Sequence, residues 1–262
     1  MKTNNTKALG TAPVGPLLLK LSIPAMAGMF MLSLYNVVDA FFVGRGVGAL
    51  GIASVFISFP ATLVIMAVSQ TFGASVIARA LGAGRNDDAS AALGTIMTSG
   101  LLCAFVMTAF LMIFTRPLLL MLGANHEIIE SSLTYADIIF IGTPVFFMMM
   151  VFNNLVRGEG NTRLSMLSMA ISSGVNIALD PLFIFVFKWG LAGAAWATVI
   201  AQICALIWLL YYYFSGKSAV AVRLHCLRRI SLPLLTQVIS VGASAFVRQV
   251  GIAISWTVLN RI

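Results

Sequence analysis

A chain of 262 residues that is 60% hydrophobic and only 9% charged has too little polar surface to coat a water-soluble globule of its size, so the bilayer is its expected solvent. Its net charge of +8 raises the question of a nucleic-acid partner, but the basic residues sort by loop as membrane topology requires, and no nucleic acid is expected. GxxxxGK[ST], HExxH and GxSxG patterns and clustered His or Cys are all missing, which removes ATP-driven transport and the common hydrolase chemistries. The chain therefore reads as neither an enzyme nor a cofactor protein, and any work it does must draw on an ion gradient.

In chain order, residues 1–15 form a polar tail with Lys2 and Lys7 and without a small-residue cleavage site, so a cytoplasmic tail is predicted in place of a signal peptide. Uncharged stretches follow at 21–38, 46–78, 89–115, 138–156, 164–179, 189–216 and 230–247. A crossing needs about 20 residues, and the two shortest stretches resume as apolar sequence beyond an aspartate or an arginine, so seven spans are predicted. Continuous runs of Leu, Ala, Ile and Met favour helices over a barrel, whose strands would alternate in polarity. The predicted fold is an all-α integral membrane protein with a six-helix lobe at 16–216, a basic linker at 217–231 and a seventh helix from 232.

With the N-terminus inside, eleven basic residues fall on the cytoplasmic side (Lys2, Lys7, Lys20, Arg79, Arg85, Arg157, Arg163, Lys217, Arg223, Arg228 and Arg229) and three outside (Arg45, Arg116 and Lys188). This positive-inside bias predicts a multi-pass plasma-membrane protein with a cytoplasmic N-terminus. Leu224, Leu227 and Ile230 among the linker charges suit an amphipathic segment on the inner membrane surface. Cys103 and Cys204 lie in apolar runs and Cys226 in the linker, with no pairing or metal spacing, so they read as small buried residues and one free thiol.

Charges inside spans are costly and usually functional. Asp39, Asp137, Asp180 and Arg248 are such residues. Counting at roughly 1.5 Å per residue puts the three aspartates some 8 to 14 Å below the outer surface, at one level, where they can share a cavity. Each also admits a plainer reading as a helix-end carboxylate that reaches the headgroups. Asn176 and Asp180 are spaced i, i+4 and share a helix face, and Pro181 frees the carbonyl one turn back. Small residues from Gly190 to Ala197 let the sixth helix approach closely, with Thr198 at the depth of Asp180. An all-oxygen set of this kind suits sodium, and a desolvated carboxylate suits a proton; the residues do not separate the two.

Pro24, Pro60, Pro144 and Pro181 interrupt helices and are hinge candidates, Pro24 and Pro181 foremost, although static kinks explain each one singly. The run Phe146 to Met150 either lines a pocket for greasy substrates or makes lipid and core contacts.

LSIPAMAG and NVVDAFFVGRGVGALG around the first span, VSQTFGASVIARALGAGRNDDAS after the second, LVRGEGNTRLSM before the fifth, NIALDPLFIF within it and GLAGAAWATVIAQ in the sixth together resemble the multidrug and toxic compound extrusion (MATE) transporters, in particular their prokaryotic branch. The resemblance covers nearly the whole chain. It implies twelve helices in two lobes of six, and export of small organic, cationic or amphipathic compounds driven by protons or sodium ions. It also implies that Asp39, Asn176, Asp180 and Thr198 form the cation site, with Tyr35 one turn before Asp39. Asp137 has no counterpart in the family pattern and enters only by its depth.

Residues 240–262 can be laid faintly on 21–43, as the start of a second repeat. The expectation is a fragment that ends in the first helix of a second lobe and cannot transport without it. Its other partners are then membrane lipids and the exported compounds. A lipid-linked-sugar flippase shares the two-lobed plan but needs a cationic cavity, where this chain offers acids. A seven-helix receptor would place the N-terminus outside, against the loop charges, and an intramembrane enzyme lacks a familiar motif.

Overall fold

The computed structural model describes residues 13–72, 75–220 and 231–259. Among these, all regular structure is helical: α1 (Val14–Gly46), α2 (Ala49–Thr71), α3 (Ser75–Gly82), α4 (Asn86–Met121), α5 (Ile129–Ile141), α6 (Thr143–Gly158), α7 (Thr162–Pro181), a π-helical turn (Leu182–Val186), α8 (Gly190–Phe214) and α9 (Leu232–Leu259). Hydrocarbon offers no partner for a backbone amide, so apolar runs of this length close their hydrogen bonds internally as helices. Six elements are long and apolar enough to cross a membrane, and α5 with α6, bent by 53° at their junction, makes a seventh. This matches the seven predicted spans. The amphipathic reading of the linker and Cys226 lie outside the described residues.

Prolines shape the helices unevenly. Pro24 and Pro60 sit inside α1 and α2, each assigned as one continuous helix. Pro144 begins α6 just past the bend at Gly142. Pro117 belongs to α4, which runs on to Met121, past the predicted loop position of Arg116, and leaves helical geometry at Phe114 (φ −108°, ψ 17°), one turn before the proline. Arg116 beside it pairs with Glu130 at 3.2 Å across the turn between α4 and α5. At Pro181 the missing amide hydrogen is absorbed by a change of register: the next residues bond i→i+5, with the Phe187 amide donating to the Leu182 carbonyl at 2.9 Å.

Helices α5, α6 and α8 make the centre of the lobe, where Phe140, Phe147, Phe152, Leu155 and Leu209 are fully buried. Helix α1 lies along α7 and turns Ile23, Met26, Phe30, Val37 and Phe41 outward, an apolar face unsuited to water. Helix α9 packs along α2, and at their closest approach Gly242 leaves no room for a side chain against the Thr71 backbone. Gln70, Arg157, Gly158 and Val241 gather around one cavity, so the far end of α2, the end of α6 and the start of α9 share one end of the bundle. The end of α1 meets the π turn at the other, where Gly46 touches Ile184 and Phe185.

Candidate cation site

Helix α7 supplies the framework. Asn161 caps its first turn, accepting from the Leu164 amide at 3.3 Å. The helix then carries Asn176 and Asp180 on one face, both buried. The Asn176 amide nitrogen donates to Asp180 at 3.2 Å and to Thr198 of α8, also at 3.2 Å. Gly193, five residues before Thr198, is what lets α8 come this near, because a Cβ there would press on the Phe183 backbone. Asp39 enters from α1, buried, with its carboxyl within hydrogen-bonding reach of that of Asp180. Ser173, one turn before Asn176, ties α1 to α7 through the Met31 carbonyl at 3.3 Å.

Three buried atoms at this junction have no hydrogen-bond partner: Asp39 Oδ1, Asn176 Oδ1 and Asp180 Oδ2. All three are acceptors, and a buried unpaired polar group costs about 1 to 3 kcal/mol. The junction therefore lacks a donor or a positive charge. Its donor set is all oxygen with two carboxylates, and among the described residues no three His, Cys, Asp or Glu converge. Such a set fits a monovalent hard cation or a proton better than a transition metal.

Two cavities meet at Asp39. The inner one, about 160 Å³, is bordered by Tyr35, Asp39, Tyr135, Phe146, Met150, Thr198 and Gln202. The other, about 430 Å³, lies between α1, α2 and α9, with Asn36, Asp39, Phe56, Phe59 and Trp256 on its walls. The Trp256 ring stacks on Phe56 at 6.0 Å and meets Phe59 edge-on at 5.3 Å.

The structure thus brings Asp39, Asn176, Asp180 and Thr198 together, with Tyr35 on the same cavity. Asp137 does not join them. Tyr135 and Ile139 of α5 face the cavity, and Asp137, midway between them, stands half-buried on another face. The Phe146–Met150 run divides: Phe146 and Met150, one turn apart, reach the cavity, and the residues between are core. Gln202 lies one turn beyond Thr198, a spacing that marks it in the sequence; Tyr135 and Trp256 carry no such mark. Neither does Glu159, a buried carboxylate at the opposite end of the bundle.

The MatE family model matches residues 24–182. The multidrug export protein MepA of Staphylococcus aureus (strain MSSA476) is 24% identical over 99% of this chain and 58% of its own length. An FAD transporter of Shewanella oneidensis is 30% identical over 75% of this chain and 45% of its own. A crystal structure of a MATE in complex with MaD3S superposes with a TM-score of 0.88 at 29% identity, over 96% of this chain and 57% of that one. The matches span between 45% and 58% of the length of these relatives. This chain belongs to the MATE family of transporters.

Proposed function

We infer that this chain is the ion-binding lobe of a secondary antiporter in the plasma membrane that exports small organic cations or amphipathic compounds in exchange for protons or sodium ions. The observation that carries the reading is the convergence of three unpaired buried acceptors, two of them carboxylate oxygens, on one point between α1 and α7. A proton shared by Asp39 and Asp180, or a sodium ion held by these two with Asn176 and Thr198, meets the unmet acceptors and removes the cost of buried charge.

The substrate side follows from Asp39. Its carboxyl also borders the cleft of Phe56, Phe59 and Trp256, and aromatic walls beside a carboxylate favour a flat organic cation. Ion entry at Asp39 and Asp180 neutralises the charge that holds such a cation, and substrate uptake favours the ion-free state in return. We place the basic ends of the helices in the cytoplasm, a reading supported by eleven basic residues on that side against three on the other. The curated relatives are longer, and we assign transport to this lobe facing a second one.

The test is ethidium binding to the chain in lipid nanodiscs, read by fluorescence while pH is lowered or sodium is added. Displacement of ethidium by one of these ions, abolished in Asp39→Asn and Asp180→Asn, supports the antiporter and identifies the ion. Ethidium binding with the same ion dependence in both variants would remove the site.

A further inference from the structure

The basic end of the bundle holds a cavity of about 660 Å³ between the lobe and α9, whose walls include neither Asp39 nor Asp180. Arg79 borders it from the last turn of α3, and Arg85 from the cap of α4. Gln237 and Ser240, one turn apart on α9, border it from the other side. The carboxylate on this wall, Asp88, is already engaged by Arg85 at 3.3 Å. Arg79 has no ion pair among the described residues. The cavity wall thus keeps one unbalanced positive charge and gathers two guanidinium groups, an amide and a hydroxyl, a set rich in donors. Its remaining walls are apolar, with Val76 on α3 and Leu234 on α9.

Depth identifies the ligand class. Arg79 ends the apolar Ala49–Gly82 run, Arg85 precedes the next long helix, and Leu234 opens α9, so the cavity stands where the apolar spans give way to the interface. We propose that this cavity binds the phosphate headgroup of an anionic phospholipid, with Arg79 and Arg85 on the phosphate oxygens, Gln237 and Ser240 on the glycerol side, and the acyl chains leaving past Val76 and Leu234. Guanidinium forks match phosphate geometry, and basic pockets between helices at the interface are suited to anionic headgroups. A single net charge beside apolar walls fits the monoanion of a phosphodiester tethered to hydrocarbon better than free phosphate, which carries more charge and gains nothing from Val76 and Leu234. The lipid bridges the lobe to α9, adding to the direct contacts that α9 makes chiefly with α2 and also with α3 and α4.

The test uses the 262-residue chain in nanodiscs of equal parts phosphatidylglycerol and phosphatidylcholine, with retained lipid identified by native mass spectrometry after mild delipidation. The wild type is expected to retain phosphatidylglycerol preferentially, and Arg79→Gln to reduce that preference about fivefold, the ratio for one guanidinium near the membrane surface. The uncharged pair Gln237→Leu with Ser240→Ala is expected to reduce it as well, although no charge changes. Arg116→Gln, which removes one positive charge at the opposite end, is expected to leave it intact, and unchanged thermal melting shows that each variant is folded. The proposal fails if Arg79→Gln keeps the wild-type preference or if Arg116→Gln loses as much. It also fails if millimolar inorganic phosphate displaces the lipid, because the ligand is then free phosphate. None of these readouts depends on transport or on the acidic junction.

Discussion

Two buried carboxylate clusters occupy opposite ends of this lobe, and they differ in what meets their oxygens. At the basic end, Glu159 is buried in the turn between α6 and α7, and both of its oxygens are paired. Ser218 donates to one at 2.8 Å; Tyr212 and the Ala219 amide donate to the other at 3.0 and 3.2 Å. Beside it, Asn153, Ser165, Ser168 and Arg157 close a network that ties α6 to α7. At the other end, Asp39 and Asp180 each keep a buried oxygen with no donor. A satisfied buried carboxylate holds elements in place, and an unsatisfied one marks where something else must bind. Glu159 thus fixes where the linker leaves the lobe, whereas the aspartates keep the unmet acceptors on which the proposed cation site rests.

Four measurements sharpen or break this contrast. The largest effect is expected for Asp180→Asn, which removes a charged ligand from a buried site: cation affinity should fall about a hundredfold, equivalent to roughly 3 kcal/mol, with the fold retained. Calorimetric or fluorescence titration of the nanodisc-held chain reads it, and an unchanged affinity would erase the distinction between the clusters. Glu159→Ala should do the reverse. It strands three donors, costs about 2 to 3 kcal/mol of stability in a detergent melt, and leaves cation affinity within about twofold of wild type.

Gly242→Val comes next, at about 2 kcal/mol, because the new side chain must push α9 off the Thr71 backbone. Trp256 fluorescence should shift to the red as the ring leaves Phe56 and Phe59, and an unshifted spectrum would mean that α9 is held elsewhere.

The smallest effect is pH-dependent. Burial pushes the Glu159 carboxyl above the ordinary carboxylate range, against the pull of its donors. The folded lobe therefore holds a proton there that the unfolded chain has released, and the resulting stability is full below the ordinary carboxylate pKa and lost as pH rises through the raised value. Subtracting the pH–stability curve of Glu159→Gln from that of the wild type isolates this contribution, expected to decline as pH rises. A flat difference curve would show that the donors offset burial completely.

Periodicity and charge made most of the fold legible: apolar runs bounded by cations are long enough to require helices, and the backbone has no alternative in hydrocarbon. The acid pair was legible for the same reason, since a carboxylate in an apolar run stands out against its surroundings, and i, i+4 spacing joins Asn176 to Asp180 without any tertiary knowledge. Depth, however, is a single coordinate. It set Asp137 level with the other two and said nothing of azimuth, which turns Asp137 away from the cavity that Tyr135 and Ile139 face. Arg116 was read as a loop residue because a charge bounds the apolar run there, whereas in the folded chain that charge lies on α4 and is paired with Glu130.

What the sequence alone determined is the membrane class, the seven apolar crossings and the acid pair Asp39 and Asp180, because each follows from the cost of placing a given residue in hydrocarbon, and the family, through the resemblance of its motifs. What only the tertiary structure decided is which polar atoms are left unpaired, that Glu159 anchors the start of the linker, and that Trp256 closes an aromatic cleft against Asp39 from a helix some two hundred residues away. Those facts depend on the rotation of each helix about its own axis and on the partner it meets, and both are set by packing between segments distant in the chain.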